Sequence, residues 1–159
     1  MTDQRERLSV TFVCTGNICR SPMAEKVFVH ELEAAGLAEH VRVTSAGTGG
    51  WHVGEPADVR AAALLREHGY ADAHVARQLD AELLAADLIV ALDEGHRRAV
   101  QRLVPEPERV RLLRSFDPDS PPGAEVPDPY YGDEPAFIEV LTMIRAATPG
   151  LVEWVRANL

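Results

Sequence analysis

A chain of 159 residues, 46% of them hydrophobic, has the length of one domain and enough apolar material for a single core. Its 25 acidic residues outweigh 16 basic ones for a net charge of −9, the wrong sign for a protein that tracks a nucleic-acid backbone but no obstacle to gripping one phosphate in a local pocket. Two cysteines, Cys14 and Cys19, are too few to frame a disulfide-rich secreted domain. In chain order, residues 1–7 are charged and read as a flexible tail with no signal-peptide pattern. Residues 8–14 (LSVTFVC) form an apolar, β-branched run that suits a buried parallel strand. Helical spacing begins at Pro22 and stops at Gly36, with Ser21 as the expected N-cap. Residues 41–45 read as a second strand and 56–69 as a second helix. A helical turn at 81–85 leads into a third strand at 87–92. A helix at 94–103 and a fourth strand at 109–113 follow. The last helix is expected over 135–159, broken near Pro149-Gly150.

Strands alternating with helices predict a single α/β domain over residues 8–159, with a four-stranded parallel sheet covered on both faces. Such sheets place ligands beyond the carboxyl ends of their strands, which directs attention to the loop after the first strand. A second outlier is the segment 115–136, which holds six of the eleven prolines and six acidic residues. A loop of that length in a compact domain is either functional or disordered. No apolar run reaches the roughly 18 residues of a membrane span, and there is no internal repeat. No membrane or nucleic-acid partner is expected. The compartment implied is the cytoplasm, with export by a route needing no signal peptide left open.

Five residues separate Cys14 from Arg20 in Cys14-Thr15-Gly16-Asn17-Ile18-Cys19-Arg20-Ser21-Pro22, enough to curl the backbone into a cup. Gly16 and Asn17 tolerate the positive φ angles a cup requires. Inward N–H groups and the start of the following helix would make an anion nest, and Arg20 could grip two oxygens of a tetrahedral anion. A thiolate from Cys14 at the floor, beside the Ser21 hydroxyl, implies phosphoryl transfer through a covalent thiophosphate. A buried, inert thiol is the bland reading of Cys14. Zinc is excluded by the lack of a Cys-x2-Cys pattern or clustered histidines. Expelling a phenolate of pKa about 10 needs a general acid. Asp128 is preferred, stiffened by Pro127 and Pro129 and followed by Tyr130 and Tyr131; Asp117 and Asp119 are weaker candidates.

Together, VCTGNICRSP (13–22), SAGTGGWHVGEPAD (45–58), HVARQL (74–79) and DPYYGD (128–133) resemble the low-molecular-weight protein tyrosine phosphatases over nearly the whole chain. The resemblance implies a cysteine-dependent phosphatase without metal or organic cofactor, acting on a phosphotyrosine-containing protein or peptide. It implies Cys14 as nucleophile, Arg20 on the phosphoryl oxygens, Ser21 stabilising the thiolate, Asn17 holding the loop with help from His74, and Asp128 as acid and then base. The phosphate cup would comprise Thr15, Gly16, Asn17, Ile18, Cys19 and Ser21, with Trp51, Tyr130 and Tyr131 as pocket rim and walls. It further implies that Cys19 can form a reversible disulfide with Cys14, and that a tyrosine kinase can act on Tyr130 and Tyr131. Asp93 reads as an organiser of helix starts, and His30, His40, His68 and His96 as solvated. The rivals are an arsenate reductase, whose thioredoxin-coupled versions need downstream cysteines that this chain lacks, and a phosphoprotein-binding module that has lost turnover.

Overall fold

The structure, a computed structural model, describes residues 7–159. Residues 1–6 of the expected tail therefore lie outside the described residues, while Arg7 donates to the Val41 carbonyl at 3.4 Å. Four strands, β1 (Leu8–Cys14), β2 (Val41–Gly47), β3 (Leu88–Ala91) and β4 (Val110–Leu112), form one parallel sheet in the order β2-β1-β3-β4. Helices α1 (Arg20–Ala34), α2 (Val59–Glu67) and α5 (Glu134–Asn158) pack on one face, and α4 (Glu94–Gln101) on the other; α3 (Ala81–Leu84) is a single turn.

The continuous apolar runs of the strands follow from burial on both faces. Alternate side chains of β1 divide between two cores. Val10, Phe12 and Cys14 join the larger cluster with Met23, Phe28, Phe137 and Ile144, whereas Val13 joins Ile89, Ala91, Val100 and Val110 in the smaller one. Because β1 lies between β2 and β3, the chain departs from the two central strands to opposite faces. The crevice so opened lies beyond Cys14 and just short of Asp93.

Two sequence expectations are corrected. Helix α1 begins at Arg20, with Cys19 at its N-cap and no side-chain cap. Ser21 is fully buried inside the first turn, its hydroxyl turned toward Cys14, so the helix-end N–H groups are left for the crevice. Helix α5 is also unbroken through Pro149. The buried stripe Phe137, Val140, Leu141, Ile144, Ala147, Leu151, Val152 and Val155 continues across the proline, and Thr148 Oγ1 donates to the Ile144 carbonyl at 2.7 Å. Packing thus outweighs the local cost of one missing N–H. Although α5 is long and apolar enough to cross a bilayer, that stripe packs into the core and Glu139, Arg145, Glu153 and Arg156 face water.

The segment 115–136 is ordered against the body. Val126 is fully buried and donates to the Leu92 carbonyl at 2.9 Å, the Glu125 carbonyl accepts from Arg114 at 3.1 Å, and the Glu125 carboxylate accepts from the Glu94 N–H at 2.8 Å. Close approach of α5 requires Gly150: a Cβ there would lie 2.1 Å from the Phe116 carbonyl oxygen. Gly150→Ala is expected to destabilise the fold by about 1–3 kcal/mol, read as a lower urea midpoint at unchanged slope. A midpoint equal to that of the parent would disprove the tight contact.

Candidate active site

The loop between β1 and α1 curls into a cup whose backbone polarity is set from outside. The Cys14 and Thr15 carbonyls accept from the N–H groups of Thr48 (2.9 Å) and Gly49 (3.0 Å), and the Ile18 and Cys19 carbonyls from those of Asp58 (2.8 Å) and Met23 (3.2 Å). His74 Nε2 donates to the Asn17 carbonyl at 2.6 Å. Among the described residues, no N–H of residues 15–19 donates to a protein acceptor. Carbonyls point out and N–H groups point in, which makes the loop a preformed anion nest. The approach of β2 that supplies Thr48 and Gly49 depends on Gly47, where a Cβ would meet the Thr15 oxygen at 2.6 Å.

Asn17 holds this shape. It is fully buried with φ 57°, a left-handed conformation that asparagine tolerates better than most residues. Its Oδ1 accepts from the Arg77 N–H at 2.9 Å, which fixes the amide orientation; Nδ2 then donates to Ser21 Oγ (2.8 Å) and Ser45 Oγ (3.0 Å). Ser45 in turn donates to Glu25 at 2.5 Å. Since Ser21 Oγ accepts from Asn17, its hydroxyl proton is free for Cys14 Sγ, 2.9 Å away. Burial holds the His74 imidazole below its ordinary pKa, against the pull of its bond to the Asn17 carbonyl. The neutral Nε2–H tautomer is therefore the donor.

Arg20 enters from the first turn of α1 and is 4% exposed. Its Nη1 donates to Asp93 Oδ2 (2.9 Å) and to the Val126 carbonyl (3.0 Å). Asp93 also caps α4, accepting the His96 N–H on Oδ1 at 2.9 Å. Although burial works to raise its pKa, that N–H and the Arg20 guanidinium hold Asp93 below the usual carboxylate range. The expectation that Asp93 organises a helix start is met. The expectation that His96 is solvated is not: it is 6% exposed. Its Nε2 lies 2.8 Å from Thr15 Oγ1, and its Nδ1 is 3.1 Å from Asp93 Oδ1 without hydrogen-bond geometry. Burial lowers the His96 pKa despite the nearby Asp93 charge.

A cavity of about 390 Å³ opens above the cup, lined by Cys14, Thr15, Gly16, Ile18, Cys19, Arg20, Trp51, His52, Asp128, Tyr130 and Tyr131. Nine sequence candidates from two distant segments plus Trp51 meet there, while Asn17, Ser21 and His74 sit behind the floor. Trp51 is 76% exposed, a rim and not a core residue. The Asp128 carboxylate stands 3.8 Å from Arg20 Nη2. Asp117 and Asp119 lie away from the cavity, bonded to each other within one turn. Cys14 and Cys19 are both buried free thiols, and burial, with Asp58 nearby, pushes Cys19 well above the ordinary thiol range. Among the described residues, no group of three or more His, Cys, Asp or Glu could hold a metal. Sequence reading found Asp93 as a helix cap but missed its pairing with Arg20, and it missed the roles of His96 and Arg60, which had no local signal.

Residues 9–159 match the model of the family described as low molecular weight phosphotyrosine protein phosphatase. The chain belongs to this family. It is 60% identical to low molecular weight protein-tyrosine phosphatase A of Mycobacterium tuberculosis over 153 residues, 96% of this chain and 94% of that one. Among solved structures, a protein tyrosine phosphatase of Entamoeba histolytica with Hepes in its active site superposes with a TM-score of 0.89 at 31% identity, covering 94% of this chain and 97% of that one. A Drosophila arginine phosphatase shares the fold at a TM-score of 0.81 and 28% identity, over 91% and 96% of the two chains. The chain is thus a protein tyrosine phosphatase of the cysteine-dependent kind, with Cys14 in the loop after the first strand, where the family's chemistry resides.

Half-buried His74 and buried His96 make folding sensitive to acid. In the unfolded chain each takes up a proton near pH 6.5, while in the fold both do so at lower pH, so stability falls as pH drops through that window. Tm is expected to fall between pH 7.5 and 5.5, and to fall less in His96→Gln; equal slopes in the two proteins would disprove the assignment.

Proposed function

We propose that residues 8–159 form a phosphatase unit in which Cys14 attacks the phosphorus of a phosphotyrosine side chain held by the cup. A sulphur–phosphorus bond forms as the bond to the phenolic oxygen breaks, and Asp128 delivers its proton to that oxygen. Asp128 then takes a proton from water, whose oxygen displaces Cys14 and releases inorganic phosphate. Ser21 donates to the departing thiolate. Arg20 is tied to Asp93 and Val126 through Nη1, so its Nε–Nη2 edge faces the equatorial oxygens of the anion and stabilises the charge they develop. The donors of residues 15–19 complete the ring around them. Every step closes with these groups and water. The observation that carries the reading is the inward set of unpaired N–H groups with the Cys14 sulphur beneath them.

The walls favour an aryl ester. Ile18, Trp51, Tyr130 and Tyr131 line a cavity of about 390 Å³, apolar surface that a phenyl ring can contact and a phosphoserine side chain cannot. The same walls offer a phosphoarginine guanidinium no carboxylate other than Asp128. Tyr131, 93% exposed at the rim, is open to phosphorylation by a tyrosine kinase, and Tyr130 beside it less so. The net charge of −9 is against a nucleic-acid partner; a phosphoprotein in the cytoplasm is the partner proposed.

Peptides carrying phosphotyrosine, phosphoserine or phosphoarginine, assayed with reductant, are expected to be hydrolysed only in the first case. Cys14→Ser should lose turnover yet still bind phosphotyrosine, because the cup is backbone; turnover by that variant would remove Cys14 as nucleophile. Asp128→Asn should cost about 10²–10⁴-fold with poor leaving groups and far less with good ones. Equal losses across the series would remove it as the acid.

A further inference from the structure

The mechanism needs two loops from distant parts of the chain to stay in register: residues 14–20 with the nucleophile and 126–133 with Asp128. Asp128 itself is half-exposed, and its side-chain contacts are a 3.8 Å approach to Arg20 and a bond from the Tyr130 N–H. Its place is therefore set by the backbone on either side. Upstream, buried Val126 is clamped between Leu92 and Arg20. Downstream, among the described residues, every hydrogen bond to residues 129–133 from beyond their own segment and α5 comes from one side chain, that of Arg60.

Arg60 makes those bonds from a fixed base. Asp58 caps α2 by accepting the Arg60 N–H at 2.8 Å, and its carboxylate holds the guanidinium at two points, Nε at 3.1 Å and Nη2 at 3.0 Å. The Asp58 N–H is the donor to the Ile18 carbonyl of the cup. From this anchor, Nη2 reaches the Tyr130 carbonyl at 3.0 Å and Nη1 the Gly132 carbonyl at 3.2 Å. The guanidinium carbon stands 4.6 Å from the centroid of the Phe137 ring and 5.8 Å from that of Tyr130. Four of the five guanidinium protons are committed, in a planar fork that a lysine cannot reproduce. One polar path thus runs from the Ile18 carbonyl through Asp58 and Arg60 to the residues on the far side of Asp128.

We infer that Arg60 is a positioning residue for proton transfer, holding the Asp128 loop at its working distance from the Cys14 loop. The inference rests on Asp128 being the general acid. An acid must sit within hydrogen-bond reach of the leaving oxygen, and displacement by about 1 Å can cost on the order of 10²-fold. Arg60 touches neither nucleophile nor phosphate site, so its loss is felt only where the proton matters.

The test is a leaving-group series of aryl phosphates read as kcat/KM, for the parent, Asp128→Asn, Arg60→Met and the double variant. Arg60→Met is expected to lose about tenfold or more on the poorest leaving group and less than about twofold on the best, a span predicted by proton-transfer geometry. In the Asp128→Asn background the same substitution should add less than about twofold on the poorest leaving group, since no acid remains to be positioned. Uniform loss across the series, or full additivity with Asp128→Asn, would overturn the inference. A flat series for Asp128→Asn alone would instead overturn the acid assignment beneath it. Should Arg60→Met not fold, Arg60→Lys keeps the stem and charge but not the fork and should show the same selective loss. Recovery of Arg60→Ala activity on poor leaving groups by added methylguanidinium would support the fork as the active element, and its absence with both variants folded would count against it.

Discussion

The active site depends on where five carbonyls point. Each backbone unit carries a donor and an acceptor on opposite sides, so binding the carbonyls of residues 14, 15, 17, 18 and 19 to the surrounding scaffold commits their loop to present its N–H groups to the cavity. The acceptors are satisfied by the turn after β2, by Asp58 at the start of α2, by His74, and by the first turn of α1 itself. Four separate stretches of chain therefore contribute bonds to the shape of a seven-residue loop. The donors pre-exist the ligand, which is what lets them act without reorganisation when charge develops on a phosphoryl group.

A chain of net charge −9 that holds a dianion must keep its attraction local. The field of exposed carboxylates is screened over roughly 8–10 Å in physiological salt, whereas the cup, the α1 terminus and the buried Arg20 act at contact distance. Burying Arg20 is costly unless it is paired, and Asp93 with the Val126 carbonyl meets that requirement. The same bonds join the start of α4 and the proline-rich segment to the cup, so the arginine that Asp93 neutralises also ties down, through the Val126 carbonyl, the segment bearing Asp128. Asp93 serves a second end by capping α4.

Much of this was readable in the sequence because its signals are local. Burial on both faces made the strands continuous apolar runs, and the strand-to-helix loop carried cysteine, glycine, asparagine and arginine within nine residues. Asp128 could be chosen because prolines flank it and tyrosines follow. What escaped reading was set by tertiary packing. Ser21 looks like a helix cap until its hydroxyl has Cys14 and Asn17 to bond. Pro149-Gly150 looks like a break until a buried stripe continues on both sides. His96 looks solvated on a helix of charged residues, and only the fold brings it against Thr15. Arg60 is one arginine among fifteen, and its acceptors lie some seventy positions away.

Building the anion site from amide groups has a consequence for how solution conditions reach it. Amide dipoles do not titrate, and a guanidinium stays charged at any pH a cell experiences. The enzyme's grip on the phosphoryl oxygens is thus constant across the physiological range. Acidity acts instead through the ligand, whose second ionisation near pH 6 decides how much charge it brings. The cup's share of recognition is in this way carried by atoms that exchange no protons, so a change of binding with acidity reports the charge of the ligand and not that of the cup.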